Sequence, residues 1–286
     1  MRVALKNIPI GELHPHPGNP YTLREDAEFQ ESVNEVGVMS PLMVRPLESG
    51  GYEIISGHRR RAAAEAAGME KVPVYICDLD DAQAVIALVD SNLHREQILP
   101  SEKAFAYKLK LDAMRKQAGR PSKDNSRQVV GNFESADIIG KSAGESGRTI
   151  QRFIRLTELI PQILQMVDEG KIAFSPAIEI SHLPKKEQAD LLTTMESEDK
   201  TPSLSQCQRM RKLSAVGQLD MDRIFSIMTE EKANQKEQVK FKVDDLRQFF
   251  PRNTDIKKME EVIVRLLGEW QRKRQRQREE QSRDAR

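Results

Sequence analysis

The stretch EIISGHRRRAAAEAAG, residues 53–68, constrains the fold more tightly than any other part of this sequence. An apolar, strand-like run stops at one glycine, three arginines follow at once, and an alanine-rich helical run begins. That order predicts strand, tight turn and helix. The first backbone N–H groups of a helix have no intrahelical partner, and the helix dipole places positive potential there. Arg59, Arg60 and Arg61 add charge of the same sign, which costs about 0.3–1 kcal/mol apiece at an exposed helix end. Arg61 has a natural partner one turn on, Glu65. Arg59 and Arg60 have none nearby, and a phosphate chain is the kind of ligand that converts their repulsion into attraction. The bland alternative is three solvated arginines. The spacing is not that of a P-loop, and the two-glycine dinucleotide fingerprint is absent.

The flanking segments predict a small mixed α/β domain. PLMVRPLESGGYEIIS reads as two strands joined by a Ser-Gly-Gly turn, and KVPVYIC as a third strand. DAEFQESVNEVG places Phe29, Val33 and Val36 on one helical face, with Gly37 as its stop. DAQAVIALVDSNLHRE reads as a closing helix. Beyond residue 97 the pattern is helical: PSEKAFAYKLKLDAMRKQ, a Gly/Pro/Ser linker AGRPSKDNSRQ, then ESADIIGKSA, SGRTIQRFIRLTELI and PQILQMVDEG. EQVKFKVDDLRQFF suggests a strand leading into a turn. TDIKKMEEVIVRLLGEW is amphipathic and runs into QRKRQRQREEQSRDAR, which is polar enough to be expected frayed.

Charge is locally arranged. The whole chain carries a formal +1, so no global field draws it to nucleic acid. Between Met114 and Ile160, however, nine Lys/Arg stand against five Asp/Glu. Two cysteines, Cys77 and Cys207, are too few and too far apart for a disulfide framework or a cysteine metal site. No opening apolar run suggests a signal peptide, and no stretch is long and apolar enough to span a membrane. A cytoplasmic protein is expected.

Four segments occur in a set order and spacing: NPYTLR (19–24), GVMSPLMVR (37–45), SGHRRRAA (56–63) and SNLHREQILPSEKAFAY (91–107). With them the chain resembles the ParB/RepB family of DNA-partition proteins over about residues 5–195. The family pattern G-E-R-R-x-R-A is matched by Gly57, Arg59, Arg60 and Ala63, and E-N-L-Q-R-E by Asn92, Leu93, Arg95 and Glu96. The resemblance implies an α+β chain in three parts. These are a ParB/sulfiredoxin-like nucleotide-binding domain (1–96), an all-α DNA-binding domain (97–215) and a small strand-plus-helix C-terminal unit with a basic tail (216–286).

It further implies CTP with Mg²⁺ as ligands. Gly57, Arg59 and Arg60 would hold the triphosphate, with Asn92 placing metal and phosphates. Arg95 belongs to the same site, the turn from Gly37 to Pro41 lines the nucleobase, and Arg24 matches the arginine of N-P-Y-Q-P-R. Two departures bear on chemistry: His58 and Ser91 stand where the family has glutamates suited to positioning metal and water. Asp90 is one residue off, about 100° round a helix. Nucleotide binding is therefore expected; His58 as a metal ligand is the sharper reading, but a histidine at a helix start more often hydrogen-bonds a phosphate or faces water, and no catalytic residue is assigned.

ESADIIGKSAGESGRTIQRFIRL fits a helix-turn-helix over about 134–156. Ile150, Phe153 and Ile154 fall on its inner face. Ser146, Arg148, Thr149 and Gln151 lie at the groove-entering end, and Arg152 and Arg155 continue that polar surface; arginine reads guanine and glutamine adenine. An ordinary charged helix is the alternative from spacing alone. Lys123, Lys141 and Lys171 are phosphate contacts or plain surface.

Three functions are expected to compete. The first is a dimeric, CTP-controlled partition clamp on a short double-stranded DNA site, with a ParA-type ATPase as its usual partner. The second is a site-specific regulator that binds nucleotide without hydrolysing it. The third is an ATP-using small-molecule kinase on the same N-terminal fold. The cysteine that sulfiredoxin chemistry needs beside this turn is replaced by His58. The stripe Val262, Leu266 and Leu267 suits a dimer contact or a local core equally.

Overall fold

The computed structural model describes residues 3–23, 26–93, 95, 98–117, 135–230, 246–251 and 254–284. The chain divides into two compact units, residues 1–230 and 231–286.

The first unit begins with a five-stranded sheet. Its strands are β1 (Val3–Pro9), β2 (Leu13–Pro15), β3 (Leu42–Pro46), β4 (Tyr52–Ser56) and β5 (Lys71–Cys77), in the order β1-β5-β3-β4-β2. β3 and β4 form the expected antiparallel hairpin, closed by Leu47 N–H donating to Gly51 O at 3.1 Å. β5 runs parallel to β3, and β2 parallel to β4. β1 pairs antiparallel to β5 along its whole length, from Val3↔Cys77 to Pro9↔Lys71.

Helices cover both faces. α1 (Ala27–Val36) starts at Asp26, whose carboxylate accepts Phe29 N–H at 3.0 Å, and stops at Gly37. α2 (His58–Ala66) leaves β4 directly. These two pack Val33, Ala63 and Ala64 on Leu42, Val44, Ile54, Val72 and Val74. Of the expected inner face of α1, Val33 is buried, Phe29 half-buried and Val36 exposed. α3 (Asp81–Asp90) is set by a capping box between Asp80 and Gln83 and covers the other face. There Ile55 meets Ala84, Leu88, Val89, Ala106 and Tyr21. Because Ile54 and Ile55 are consecutive in a strand, they serve opposite cores.

α4 (Pro100–Gln117) joins this layer to a helical bundle. Residues 135–143 form α5. After it come α6 (Gly147–Arg155), α7 (Pro161–Asp168), α8 (Phe174–Ile180), α9 (Lys185–Glu198), α10 (Leu204–Ala215) and α11 (Met221–Thr229). Leu219, Ile224, Ile227 and Met228 bury in one core with Ile163, Ile180 and Leu191. Residues 219–228, grouped by sequence with the C-terminal part, thus belong to the bundle, because their apolar side chains have their partners there.

In the second unit, α12 (Ile256–Asp284) carries the basic run as helix rather than as the expected frayed tail. Val264, Leu266, Leu267 and Trp270 on it are exposed. The linker AGRPSKDNSRQ, Lys123, Arg24 and most of EQVKFKVDDLRQFF lie outside the described residues.

Candidate functional site

Gly57 makes the turn from β4 into α2 possible. Its φ of 105° and ψ of 20° lie in the left-handed region, and a Cβ there would stand 2.8 Å from Leu42 Cγ. The first intrahelical bond is Arg61 N–H to Gly57 O at 2.9 Å, so the N–H groups of His58, Arg59 and Arg60 precede the helix ladder. This is the anion-attracting end that the sequence predicts.

The three arginines diverge from it. Arg59 donates to Asp26 Oδ2 at 2.6 Å, and its guanidinium stacks 4.9 Å from the Phe29 ring centroid. It lines a cavity of about 310 Å³ between α1 and α2, together with Leu23, Gln30, Ala62 and Ala66. The partner that sequence spacing denied Arg59 comes from 33 residues away. The Phe29 N–H and then Arg59 hold the Asp26 carboxyl below the usual range. Arg60 donates through Nη1 to Ser40 O at 2.7 Å and Pro41 O at 2.8 Å. It therefore pins the Gly37–Pro41 turn beside the glycine junction, and burial pulls its pKa down from the ordinary arginine value. Arg61 pairs with Glu65 at 3.1 Å, as spacing requires.

His58 is the inward-facing member. It is 6% exposed, and its Nε2 is buried with no hydrogen-bond partner. Burial first, then the charges of His16, Arg95 and Arg61, push its pKa down to about 4, so the imidazole is neutral at pH 7. A second buried polar atom, the Tyr21 hydroxyl, also has no partner. Arg95 stacks 5.4 Å from the Tyr21 ring centroid, and its charge acts on both Tyr21 and His58. Arg95 thus connects Tyr21 with His58, Arg60 lies beside Gly57 and the Gly37–Pro41 turn, and Arg59 faces the α1–α2 groove. Tyr21 is the residue that sequence reasoning missed. Its signal was an aromatic hydroxyl inside the Pro-flanked segment NPYTLR.

The depressed His58 pKa has a measurable consequence. The unfolded chain takes up the proton near pH 6.5, and the folded chain only near pH 4. The stability tied to the neutral imidazole is full above pH 6.5 and is lost as pH falls through that window. The ceiling is about 3 kcal/mol. Between pH 7.5 and 4.5 the wild type is expected to lose more thermal stability than His58→Gln. Equal losses would contradict the burial of a neutral imidazole.

Across the site, Asn92 is buried at the end of α3, where its amide donates to Leu88 O at 2.7 Å and Ser91 Oγ at 3.2 Å. Ser91 Oγ itself donates to Leu88 O at 2.9 Å. The charge of Asp90 acts on Tyr21, and its carboxylate is already engaged. It pairs with Lys110 of α4, whose side chain is only 5% exposed and also donates to Ser142 Oγ at 3.2 Å. A link therefore runs from the end of α3, through α4, to α5.

α5 and α6 form the expected helix-turn-helix. Ser146 caps α6 by accepting Thr149 N–H at 3.1 Å, and the two hydroxyls share a bond at 2.8 Å. Ile150 is fully buried against Tyr107, Leu111, Ala136 and Ile139, with Phe153 and Ile154 half-buried beside it. Gly140 lets the helices touch, since a Cβ there would meet Glu145 O at 2.5 Å. Arg148 is exposed and Gln151 half-buried. Arg152 and Arg155 are tied inward. Arg152 donates to Ser175 Oγ at 3.1 Å and stacks 4.8 Å from the Phe174 ring centroid. Arg155 donates to Ser181 O at 2.9 Å. Both dock α6 on α8 instead of extending an open polar face. Lys171 pairs with Glu169, and Lys141 is exposed.

Comparison with known proteins agrees with this arrangement. Residues 2–93 match the ParB N-terminal domain. The chromosome-partitioning protein Spo0J of Thermus thermophilus is 30% identical over 168 residues, 58% of this chain and 55% of that protein. A nucleoid occlusion protein of Listeria monocytogenes is 38% identical over 188 residues, 64% of this chain and 59% of that one. The probable chromosome 2-partitioning protein ParB of Deinococcus radiodurans is 30% identical over 198 residues, 66% of this chain and 67% of its own length. The chain spans about half the length of the first curated relatives it matches. With the glycine–arginine junction, the Asn92–Arg95 segment and the helix-turn-helix in one compact unit, the chain belongs to the ParB family of partitioning proteins.

Proposed function

We propose that this chain is a DNA-bound clamp that closes as a dimer when CTP occupies the α2 junction. The observation that carries the reading is the pair of buried, partnerless polar atoms, His58 Nε2 and Tyr21 Oη, beside Arg95 and the open end of α2. Buried polar groups of a native fold nearly always find a partner in protein, water or ligand, and these two stand beside a positive arginine and a helix start that suit an anion. Arg60 contributes a positive fork and orders the Gly37–Pro41 turn, which would line the base. The helix-turn-helix would present Arg148, Thr149 and Gln151 to a major groove, with Ser146 setting the helix end. The Asp90–Lys110–Ser142 link supplies a physical route by which a ligand near Asn92 alters the pose of α5.

A second reading has its own support. The carboxylates expected at positions 58 and 91 are absent, and Asp90 is engaged by Lys110. That favours a site-specific regulator which binds nucleotide and does not turn it over. The 38% identity to a nucleoid occlusion protein accords with a role outside partition proper.

Retention on DNA tests the proposal. CTP is expected to raise salt-resistant retention on fragments with both ends blocked and a candidate inverted repeat, and to leave open-ended fragments unretained. Retention independent of CTP or of blocked ends would contradict a clamp. Phosphate release in the same tube separates the readings: none above background supports the regulator, steady release the hydrolysing clamp.

A further inference from the structure

We propose that the α2 junction binds its nucleotide without a divalent cation, the polyphosphate oxygens taking hydrogen bonds from His58 and Tyr21 instead of meeting a protein-bound metal ion. This rests on the nucleotide reading above and departs from the Mg²⁺ that the family resemblance implies.

The donor set does not suit that ion. Mg²⁺ demands hard oxygen ligands and is usually held by one or two carboxylates beside the substrate phosphates. Position 58 offers a buried imidazole, a poor partner for so hard a cation. Position 91 offers a hydroxyl whose proton is already given to Leu88 O at 2.9 Å. Asn92 offers one neutral amide oxygen, its nitrogen being engaged by Leu88 O and Ser91 Oγ. Asp90 is the carboxylate nearest in sequence, and moving it would strand the ammonium of Lys110, which is almost fully buried. The carboxylate of Glu102, whose charge also acts on Tyr21, is likewise engaged, accepting Thr22 N–H at 2.9 Å and Leu99 N–H at 3.1 Å.

What is present suits bare phosphate. His58 Nε2 and Tyr21 Oη are both buried and lack partners, and each can donate one hydrogen bond. Arg60 and Arg95 bring charge, and the start of α2 brings free amides and the positive end of its dipole. A glutamate at position 58 repels phosphate unless a cation lies between them; an imidazole N–H does not. Histidine here therefore removes the electrostatic need for the ion.

Calorimetric titration of CTP into the full chain, in Mg²⁺ and in EDTA, decides the point. The dissociation constants are expected to agree within about threefold, or about 0.6 kcal/mol. Binding that weakens by about tenfold or more in EDTA would overturn the inference while leaving the nucleotide reading intact. Absence of binding under both conditions would overturn the nucleotide reading, and the inference with it. His58→Glu is expected to restore metal dependence, with binding in EDTA at least about tenfold weaker than in Mg²⁺. Equal binding in the two buffers by that folded variant would contradict the role of His58. Tyr21→Phe, which removes one oxygen and leaves the ring packed, guards against misfolding. It is expected to melt no lower than the wild type and to weaken CTP about tenfold in both buffers. Unchanged affinity would remove Tyr21 from the site and overturn that part.

Discussion

Arg60→Ala is expected to weaken CTP binding about a hundredfold while changing site-specific DNA binding by no more than about threefold. Nη1 of Arg60 donates to Ser40 O at 2.7 Å and Pro41 O at 2.8 Å, so the guanidinium holds the Gly37–Pro41 turn at the same place where its charge faces the start of α2. Truncation removes both the charge and the order of the turn. A hydrogen bond to a charged group is worth about 1.5–3 kcal/mol, and losing one such bond to phosphate spans a tenfold to more than a hundredfold change. Arg60→Lys keeps the charge but not the fork and is expected to fall between wild type and alanine. DNA binding is spared because α5 and α6 have a core of their own around Ile139 and Ile150. Binding isotherms for CTP and for DNA, measured on one preparation, check both halves. Loss of both activities would make Arg60 a structural residue.

Gly140→Ala is expected to do the reverse. Alanine normally stabilises a helix interior over glycine by about 1 kcal/mol. Here the new Cβ would lie 2.5 Å from Glu145 O and 3.1 Å from Gly147 N, both backbone atoms that no side-chain rotation can move aside. The turn is also tied by Glu145 N–H donating to Gly140 O at 2.9 Å. Overpacking of this kind costs about 1–3 kcal/mol, enough to outweigh the helix gain. At roughly 2–4 °C per kcal/mol for a unit of this size, a melting point about 5 °C lower is expected. α6 shifts relative to α5, so site-specific DNA binding fails while CTP binding persists. A variant as stable as wild type, or more so, would show that the helices do not approach so closely.

The two variants separate what the sequence made legible from what it did not. Gly57, the helix after it, the β3–β4 hairpin and the α5–α6 pair were readable because each depends on neighbours within a few residues. Turn glycines and helix periodicity are local signals. The partner of Arg59 was not readable, because Asp26 arrives from the far end of α1. The inward ties of Arg152 and Arg155 were hidden for the same reason, as Ser175 belongs to α8 and Ser181 O to the residue that ends it. β1 was overlooked because its register on β5 leaves Leu5 exposed, which blurs the alternation an edge strand should show. Asp90 illustrates the limit of spacing arguments. One residue from Ser91 it was a candidate substitute for a glutamate, but a buried lysine 20 residues on had already engaged it.

The second unit shows the same limit from the other side. The composition of the basic run is that of a solvated tail, and α12 nonetheless continues through it to Asp284. Helix propensity is favourable for Gln, Arg, Lys and Glu, so a polar run can extend a helix once an amphipathic segment has started it.

A junction at Gly57 that holds a cytidine nucleotide is the central claim. Titration of CTP, ATP and GTP into the full chain, followed by calorimetry at one pH and salt, tests that claim most directly. CTP is expected to bind at least about tenfold more tightly than either purine nucleotide, and Arg60→Ala to abolish that preference. Equal affinity for the three nucleotides, or heat signals that Arg60→Ala leaves unchanged, would contradict it.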